Sequence, residues 1–282
     1  MTLSGLLDYT FMQHALIAAS VVGLTAPLVG VFLVQRRLAL LGDGIGHIAL
    51  TGIGIAVLTG QAPIWGALIA ALIGAVLVEY LRAKSRFAGD TALSIIFYGG
   101  IAGGVLLTAI GTGSASSTLS SYLFGSLTTV SREDLVAVVM LGALIVVTVL
   151  IFGRQLLAVS VDPDHAHVQG MNLNFLSALI AALSAVTVTV GMRAVGLLLV
   201  SAIMIIPVVA AQQFTQSFRQ TAIAGALIGW VSAIAGLMFS YYIDVPPGSA
   251  IVITALGIFT FIAIFVFILN VIKRKKVTNG FA

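Results

Sequence analysis

Leu41-Gly42-Asp43-Gly44-Ile45-Gly46-His47-Ile48-Ala49-Leu50 sets an aspartate and a histidine four residues apart in a stretch that is otherwise apolar and glycine-rich. Positions i and i+4 share one face of a helix, so Asp43 and His47 can point at the same object. The surrounding chain reads as membrane, where an aspartate costs roughly 2.5–3.5 kcal/mol on insertion scales. Groups that expensive are kept where they line a cavity, pair with a partner or bind something. A carboxylate oxygen beside an imidazole nitrogen suits a divalent metal of intermediate hardness, such as manganese, iron or zinc. The competing reading is a helix-start aspartate and an interior histidine with structural duties only.

Composition supports the membrane assignment. Of 282 residues, 60% are hydrophobic and 8% charged, whereas soluble domains carry about 25% charged residues. Thirty glycines suit a polytopic helical protein, in which small residues let helices approach closely. With no cysteine, disulfides and thiolate metal ligands are excluded. The net charge of +4 is gathered in short clusters, so it speaks to topology and not to nucleic-acid binding. No cleavable signal peptide is expected, because the N-terminus lacks a basic n-region and the first apolar stretch is a full-length span ending in Arg36-Arg37.

Nine stretches are long and apolar enough to be transmembrane helices: Ala15–Val34, Ile45–Leu58, Ile64–Leu81, Ala92–Ile110, Leu135–Phe152, Leu173–Val190, Val195–Ala211, Thr221–Tyr241 and Ala250–Ile272. The second is short, which predicts that its helix begins earlier, at Gly42 or Asp43. The sixth and seventh are separated only by Gly191-Met192-Arg193-Ala194, so eight spans are the alternative. With nine, Arg36, Arg37, Arg82, Lys84, Arg86, Arg154, Arg219 and the cluster Lys273-Arg274-Lys275-Lys276 fall on one side, and Arg132 and Arg193 on the other. The positive-inside rule makes the crowded side cytoplasmic and the N-terminus external. The expectation is one all-α membrane domain over residues 1–282. Small-xxx-small pairs at Gly42/Gly46, Gly99/Gly103 and Gly100/Gly104 predict tight helix contacts.

Two loops stand out. The outer segment 111–132 is rich in Ser and Thr and carries Tyr122-Leu123-Phe124-Gly125, an apolar patch that predicts a short interfacial or re-entrant helix. The cytoplasmic loop, about 153–172, contains Asp162-Pro163-Asp164-His165-Ala166-His167-Val168-Gln169-Gly170. Asp162 is a good N-cap, Pro163 fits the first helical position and Gly170 suits the stop, which predicts a two-turn cytosolic helix. Its Asp and His residues also resemble a metal cluster, although capping and solvated surface explain them as well. Glu79 lies one turn before Arg82 and predicts an i,i+3 ion pair. There is no Gly-x-x-x-x-Gly-Lys-Ser/Thr phosphate loop, no His-Glu-x-x-His and no Gly-x-Ser-x-Gly. The chain therefore carries no machinery of its own for ATP-driven transport and no metallopeptidase or hydrolase signature.

At this point a family resemblance enters. Arg36-Arg37-Leu38-Ala39-Leu40-Leu41-Gly42-Asp43-Gly44-Ile45-Gly46-His47 resembles the Arg-Arg-x-x-x-x-Gly-Asp-x-x-x-His signature of permease subunits of ATP-binding-cassette importers for zinc, manganese or iron. Tyr122-Leu123-Phe124-Gly125-Ser126 is similar to that family's Tyr-Leu-Phe-Gly-Ser segment. Asp162-Pro163, Ala166 and Gly170 match its coupling loop, Asp-Pro-x-x-Ala-x-x-x-Gly. Val195-Gly196-Leu197-Leu198-Leu199-Val200 through Ile206-Pro207 resembles its Gly-x-Leu-Leu-Val-x-x-x-x-x-x-Pro helix, and Asp244-Val245-Pro246-Pro247-Gly248 its late Asp-x-Pro-x-Gly turn. The matches run in family order from Arg36 to Gly248. Departures are Gly46, where the family often has Ser, and Val208-Val209-Ala210-Ala211 after Pro207, where it often has Ala-Ala-x-Ala.

The resemblance implies a homodimeric permease of the cobalamin-importer type in a bacterial cytoplasmic membrane. Its partners would be a cytosolic ATP-binding subunit, an external metal-binding protein and membrane lipid. No resident cofactor is implied, since the divalent metal is cargo, and no residue is catalytic. Asp43 and His47 would line the metal pathway, twice over across a two-fold axis. Asp162, Pro163, Ala166 and Gly170 would couple to the ATPase, while Pro207, Asp244 and Gly248 would have structural or gating roles. Two other functions compete. A permease for a chelate such as a siderophore or cobalamin needs a wide aromatic-lined pathway and no Asp43 or His47. A stand-alone ion-coupled transporter would use the pair as a proton relay, with inverted repeats that the sequence does not display.

Overall fold

The computed structural model describes residues 10–84, 89–110, 121–125 and 131–279. They form helices α1 (Thr10–Gln35), α2 (Leu41–Leu58), α3 (Pro63–Lys84), α4 (Gly89–Ile110), α5 (Arg132–Val161), α6 (Pro163–Val168), α7 (Leu173–Ala194), α8 (Leu197–Gln212), α9 (Phe218–Ile243) and α10 (Pro247–Asn279). One further helical turn occupies 121–124. This turn falls on the apolar patch expected to form a short helix, while most of the predicted 111–132 segment lies outside the described residues.

Eight of the nine apolar stretches lie wholly within a helix, and the seventh, Val195–Ala211, does so from Leu197 onward. Among the described residues, seven helices are long and apolar enough to cross a membrane, and Leu93–Leu107 and Leu197–Gln212 are shorter apolar helices. The sixth and seventh stretches are two helices, because the chain turns sharply at Gly196 (φ +88°), a conformation that costs glycine little. The second helix does begin early, at Leu41.

Polar caps mark several starts. Ser131 and Asp134 form a capping box at α5. Asp162 caps α6, Asn172 caps α7 and Ser217 caps α9. At the other end of α9 the left-handed Asp244 (φ 56°) is the C-cap, and Ser240 Oγ donates to Val245 O at 2.6 Å.

Helix α1 sits centrally against α5, α7, α8 and α9, and α7 is buried continuously from Leu183 to Ala194. Helix α2 is enclosed by α3, α4, α7 and α8. Apolar side chains such as Leu150, Ile151, Phe261 and Phe267 are exposed on the outer faces of α5 and α10, as lipid contact requires.

The glycine pairs are where helices meet. A Cβ on Gly100 of α4 would lie 2.6 Å from the backbone of His47 and Ile48, and Thr51 Oγ1 donates to Gly100 O at 2.9 Å. Gly103 and Gly104 face Thr51 and Leu50, whereas Gly99 faces open space. Gly100→Val must therefore push α4 off α2. The expected cost is about 1–3 kcal/mol of overpacking or more, because backbone cannot yield as a side chain does. Thermal melting of the purified protein measures it, and an unchanged melting temperature would refute the close approach.

A candidate metal pathway on helix α2

Asp43 occupies the first turn of α2, where the helix dipole favours a carboxylate. It is half-buried and lines a recess of about 240 Å³ with Leu40, Leu93, Ser94, Phe97 and Tyr98. Tyr98, 67% exposed, leaves one side of this recess open. His47, one turn further on, stands edge-on to Phe97 with ring centroids 4.5 Å apart and an interplanar angle of 76°. Its Nδ1 is buried and makes no hydrogen bond. Asp43 and His47 thus sit on adjoining turns of one helix, both facing α4.

The helix face beside them explains the local glycines. A Cβ on Gly42 would lie 2.7 Å from Ser201 Oγ, and one on Gly46 would lie 2.9 Å from Leu197 Cδ1 and 3.5 Å from Val188 Cγ1. The serine that the family often places before the histidine is replaced by glycine here, and α8 fills that space with Leu197. Leu197, the first residue of α8, and Val188, within α7, are both buried, so the Gly46 side of the Asp43–His47 stretch packs against the bundle while Asp43 and His47 stay half-buried.

Among the described residues, no three His, Cys, Asp or Glu side chains converge as a metal cluster. One chain therefore offers two donors at Asp43 and His47, and His165 and His167 do not assemble a site with a third. His165 Nε2 is instead 2.7 Å from Gln169 Nε2. Glu79 and Arg82 form the predicted ion pair at 2.7 Å. Arg36 Nη2 donates to Ser177 Oγ at 2.9 Å and ties the end of α1 to the start of α7.

Helix α6 has the predicted ends. The Asp162 carboxylate accepts from the His165 N–H at 2.9 Å, and Pro163 opens the helix. Gly170 (φ +78°) closes it: its N–H reaches His167 O at 2.9 Å, and Met171 N–H reaches Ala166 O at 3.1 Å. That pair of bonds is the Schellman arrangement. One feature differs from the sequence-based picture of a contact surface. Ala166 is 0% exposed, turned into the bundle, whereas Val168 is 84% exposed. Ala166 seats the helix, and the outward face consists of other residues.

The remaining expected positions have structural surroundings. Pro207 is buried within α8 without ending it. Gly248, at the start of α10, abuts Val195 O so closely that no Cβ fits. Asp244 is an exposed turn residue.

Sequence reasoning missed a polar cluster at the end of the bundle opposite α6. Arg193, in the last turn of α7, donates from Nη2 to Asp134 Oδ2 in the first turn of α5. Its guanidinium also lies 4.7 Å from the centroid of the Tyr122 ring. Burial pushes the Tyr122 hydroxyl up to about 12, with Arg193 opposing, so it stays protonated. The available signal was Ser131-x-x-Asp134, a capping box whose carboxylate falls on the same predicted side as Arg193.

Comparison with known proteins agrees with this architecture. The ABC 3 transport family matches residues 8–267. A Streptococcus gordonii protein named manganese import system permease protein ScaB is 32% identical over 257 residues, covering 91% of this chain and 92% of that protein. The solved structure of PsaBC from Streptococcus pneumoniae in complex with Fab contains a chain that superposes with a TM-score of 0.83. It is 32% identical, with 92% of this chain and 93% of that chain covered. An ABC transporter described as of the metal-chelate type, solved facing inward, gives a TM-score of 0.72 at 19% identity, with 89% of this chain and 85% of that chain covered. At that identity the likeness shows the fold alone. With its helical plan and with nearly the whole chain matched, this multi-pass membrane protein belongs to the ABC 3 transport family of permeases.

Proposed function

We propose that this chain is the permease of an importer for a divalent transition-metal ion, with manganese its first candidate cargo. One observation carries the proposal: a buried His47 Nδ1 without a hydrogen bond, one turn from the carboxylate of Asp43. An imidazole nitrogen left bare inside a membrane protein is costly unless something occupies it part of the time. Two donors hold an ion poorly, and two copies across a two-fold axis would supply two carboxylates and two imidazoles. Loose, transient ligation suits transport, in which the ion must leave again. The manganese assignment is supported by ScaB, whose name states its cargo. Zinc and iron accept the same donors.

The partners follow from the family: a second copy of the permease, a cytosolic ATP-hydrolysing subunit and an external metal-binding protein. The chain itself hydrolyses nothing, and the bacterial cytoplasmic membrane is its location. The chelate reading is disfavoured because it needs neither Asp43 nor His47 and so leaves the bare, buried His47 Nδ1 without a purpose.

The deciding experiment measures ATPase activity of the reconstituted complex with its binding protein, ion by ion. Manganese stimulation is expected to exceed that of zinc or iron, and stimulation by a siderophore or cobalamin alone would overturn the metal reading. The proposed topology has its own test, since the chain contains no cysteine. Single cysteines at Thr2, Ser85 and Thr278 are exposed to an impermeant thiol reagent in intact cells. Thr2→Cys alone should label, because the basic residues crowd on the other side.

A further inference from the structure

The buried pair Asp134–Arg193 lies at the end of the bundle opposite α6, away from the residues given a transport role above. Arg193 is 8% exposed and Asp134 9%. Stability alone explains such a pair poorly. Replacing a buried ion pair with apolar side chains is often neutral or stabilising, whereas removing one partner strands a charge. What the pair does accomplish is spatial: it joins the start of α5 to the end of α7, beneath Tyr122.

The neighbouring backbone is locked to it. Gly125 (φ +74°) and Gly196 (φ +88°) lie back to back, and a Cβ on Gly196 would lie 2.5 Å from Phe124 C and 2.6 Å from Gly125 N. Val195, between Arg193 and this contact, is fully buried, and its carbonyl receives Gly248 of α10. The 121–125 turn, α5, the α7–α8 corner and α10 therefore converge on residues 193–196. Helix α8 leaves that corner directly and presents Leu197 to Gly46 and Ser201 to Gly42, on either side of Asp43.

We infer that Arg193 and Asp134 are positioning residues for metal transport: by fixing the α7–α8 corner they set where α8 bears on the Gly42–Gly46 stretch, and so where Asp43 and His47 stand. This rests on the proposed role of Asp43 and His47. Metal ligands held by packed neighbours lose affinity when those neighbours shift, even though the neighbours never touch the ion. The chain of contact is continuous, from Arg193 through Val195 and Gly196 to Leu197, Gly46 and His47.

The test uses the complete complex with Mn²⁺ as probe, reading manganese affinity, uptake and melting temperature together. The central variant is Asp134→Asn/Arg193→Met. It leaves no stranded charge, and its Asn retains an oxygen for the Ser131 cap. It should assemble and melt near the parent, yet bind and transport manganese about tenfold less well, the lower end of what a lost supporting contact costs a metal site. Arg193→Met alone should be at least as defective, and Arg193→Lys, which keeps the cation, should recover most of the loss. A double variant that binds manganese like the parent overturns the inference, and so does one that fails to assemble, since the pair is then a folding requirement. Asp43→Ala is measured alongside. Normal uptake in that variant defeats the pathway reading itself, whereas its loss together with a normal double variant defeats only the positioning role.

Discussion

Manganese uptake falls to background in Asp43→Ala and in His47→Ala, while both proteins still purify as folded dimers. This is the first expected result. Removing an outer neighbour of a metal ligand costs about 10–100-fold in affinity, so removing a ligand should cost at least about 100-fold. Folding should survive because each side chain is only half-buried and the His47 Nδ1 makes no hydrogen bond. Truncating His47 also removes its edge contact with Phe97, a loss of about 0.5–1.5 kcal/mol that is small beside the transport defect. Radioactive manganese uptake into vesicles, paired with size-exclusion profiles, measures both quantities. Near-normal uptake in both variants would return Asp43 and His47 to a structural role. The phenylalanine variant Tyr98→Phe keeps the wall of the recess and should transport far better than Asp43→Ala.

The second large effect is expected at α6. Val168 is the most exposed large apolar side chain of that helix, 84% accessible, on the side proposed to face the ATPase. Val168→Asp leaves the permease fold untouched, since it contributes no core packing, but places a charge where an apolar contact is expected. ATPase binding and manganese-dependent uptake should both drop severely, with the melting temperature of the permease alone unchanged. Ala166→Trp should also abolish coupling, by a different route. Ala166 has no exposed surface, so a tryptophan lifts α6 off the bundle and lowers permease stability as well. Asp162→Ala should be milder, costing about 0.5–2 kcal/mol of local helix stability through the lost cap. Pull-down of the ATPase by each variant separates these cases. Full ATPase binding and uptake by Val168→Asp would remove α6 from the coupling interface.

Whatever depends on near neighbours in the chain was legible in the amino-acid order. Apolar runs announced the nine helical stretches, since a helix satisfies its backbone within its own segment. Asp162, Pro163 and Gly170 announced both ends of α6, because caps act within one turn. The i,i+4 spacing announced that Asp43 and His47 share a face, and the i,i+3 spacing announced the Glu79–Arg82 pair. Contacts between distant segments were not legible. Ala166 matched a loop motif, but only the packing of α5, α6 and α7 turned it inward. Arg193 read as an ordinary outer-side basic residue, and 59 positions separate it from the carboxylate that holds it. Gly46 read as a lost hydroxyl until α8 placed Leu197 against it. Local geometry follows from backbone rules that repeat every turn, whereas partners far apart in the chain are chosen by how whole helices fit together.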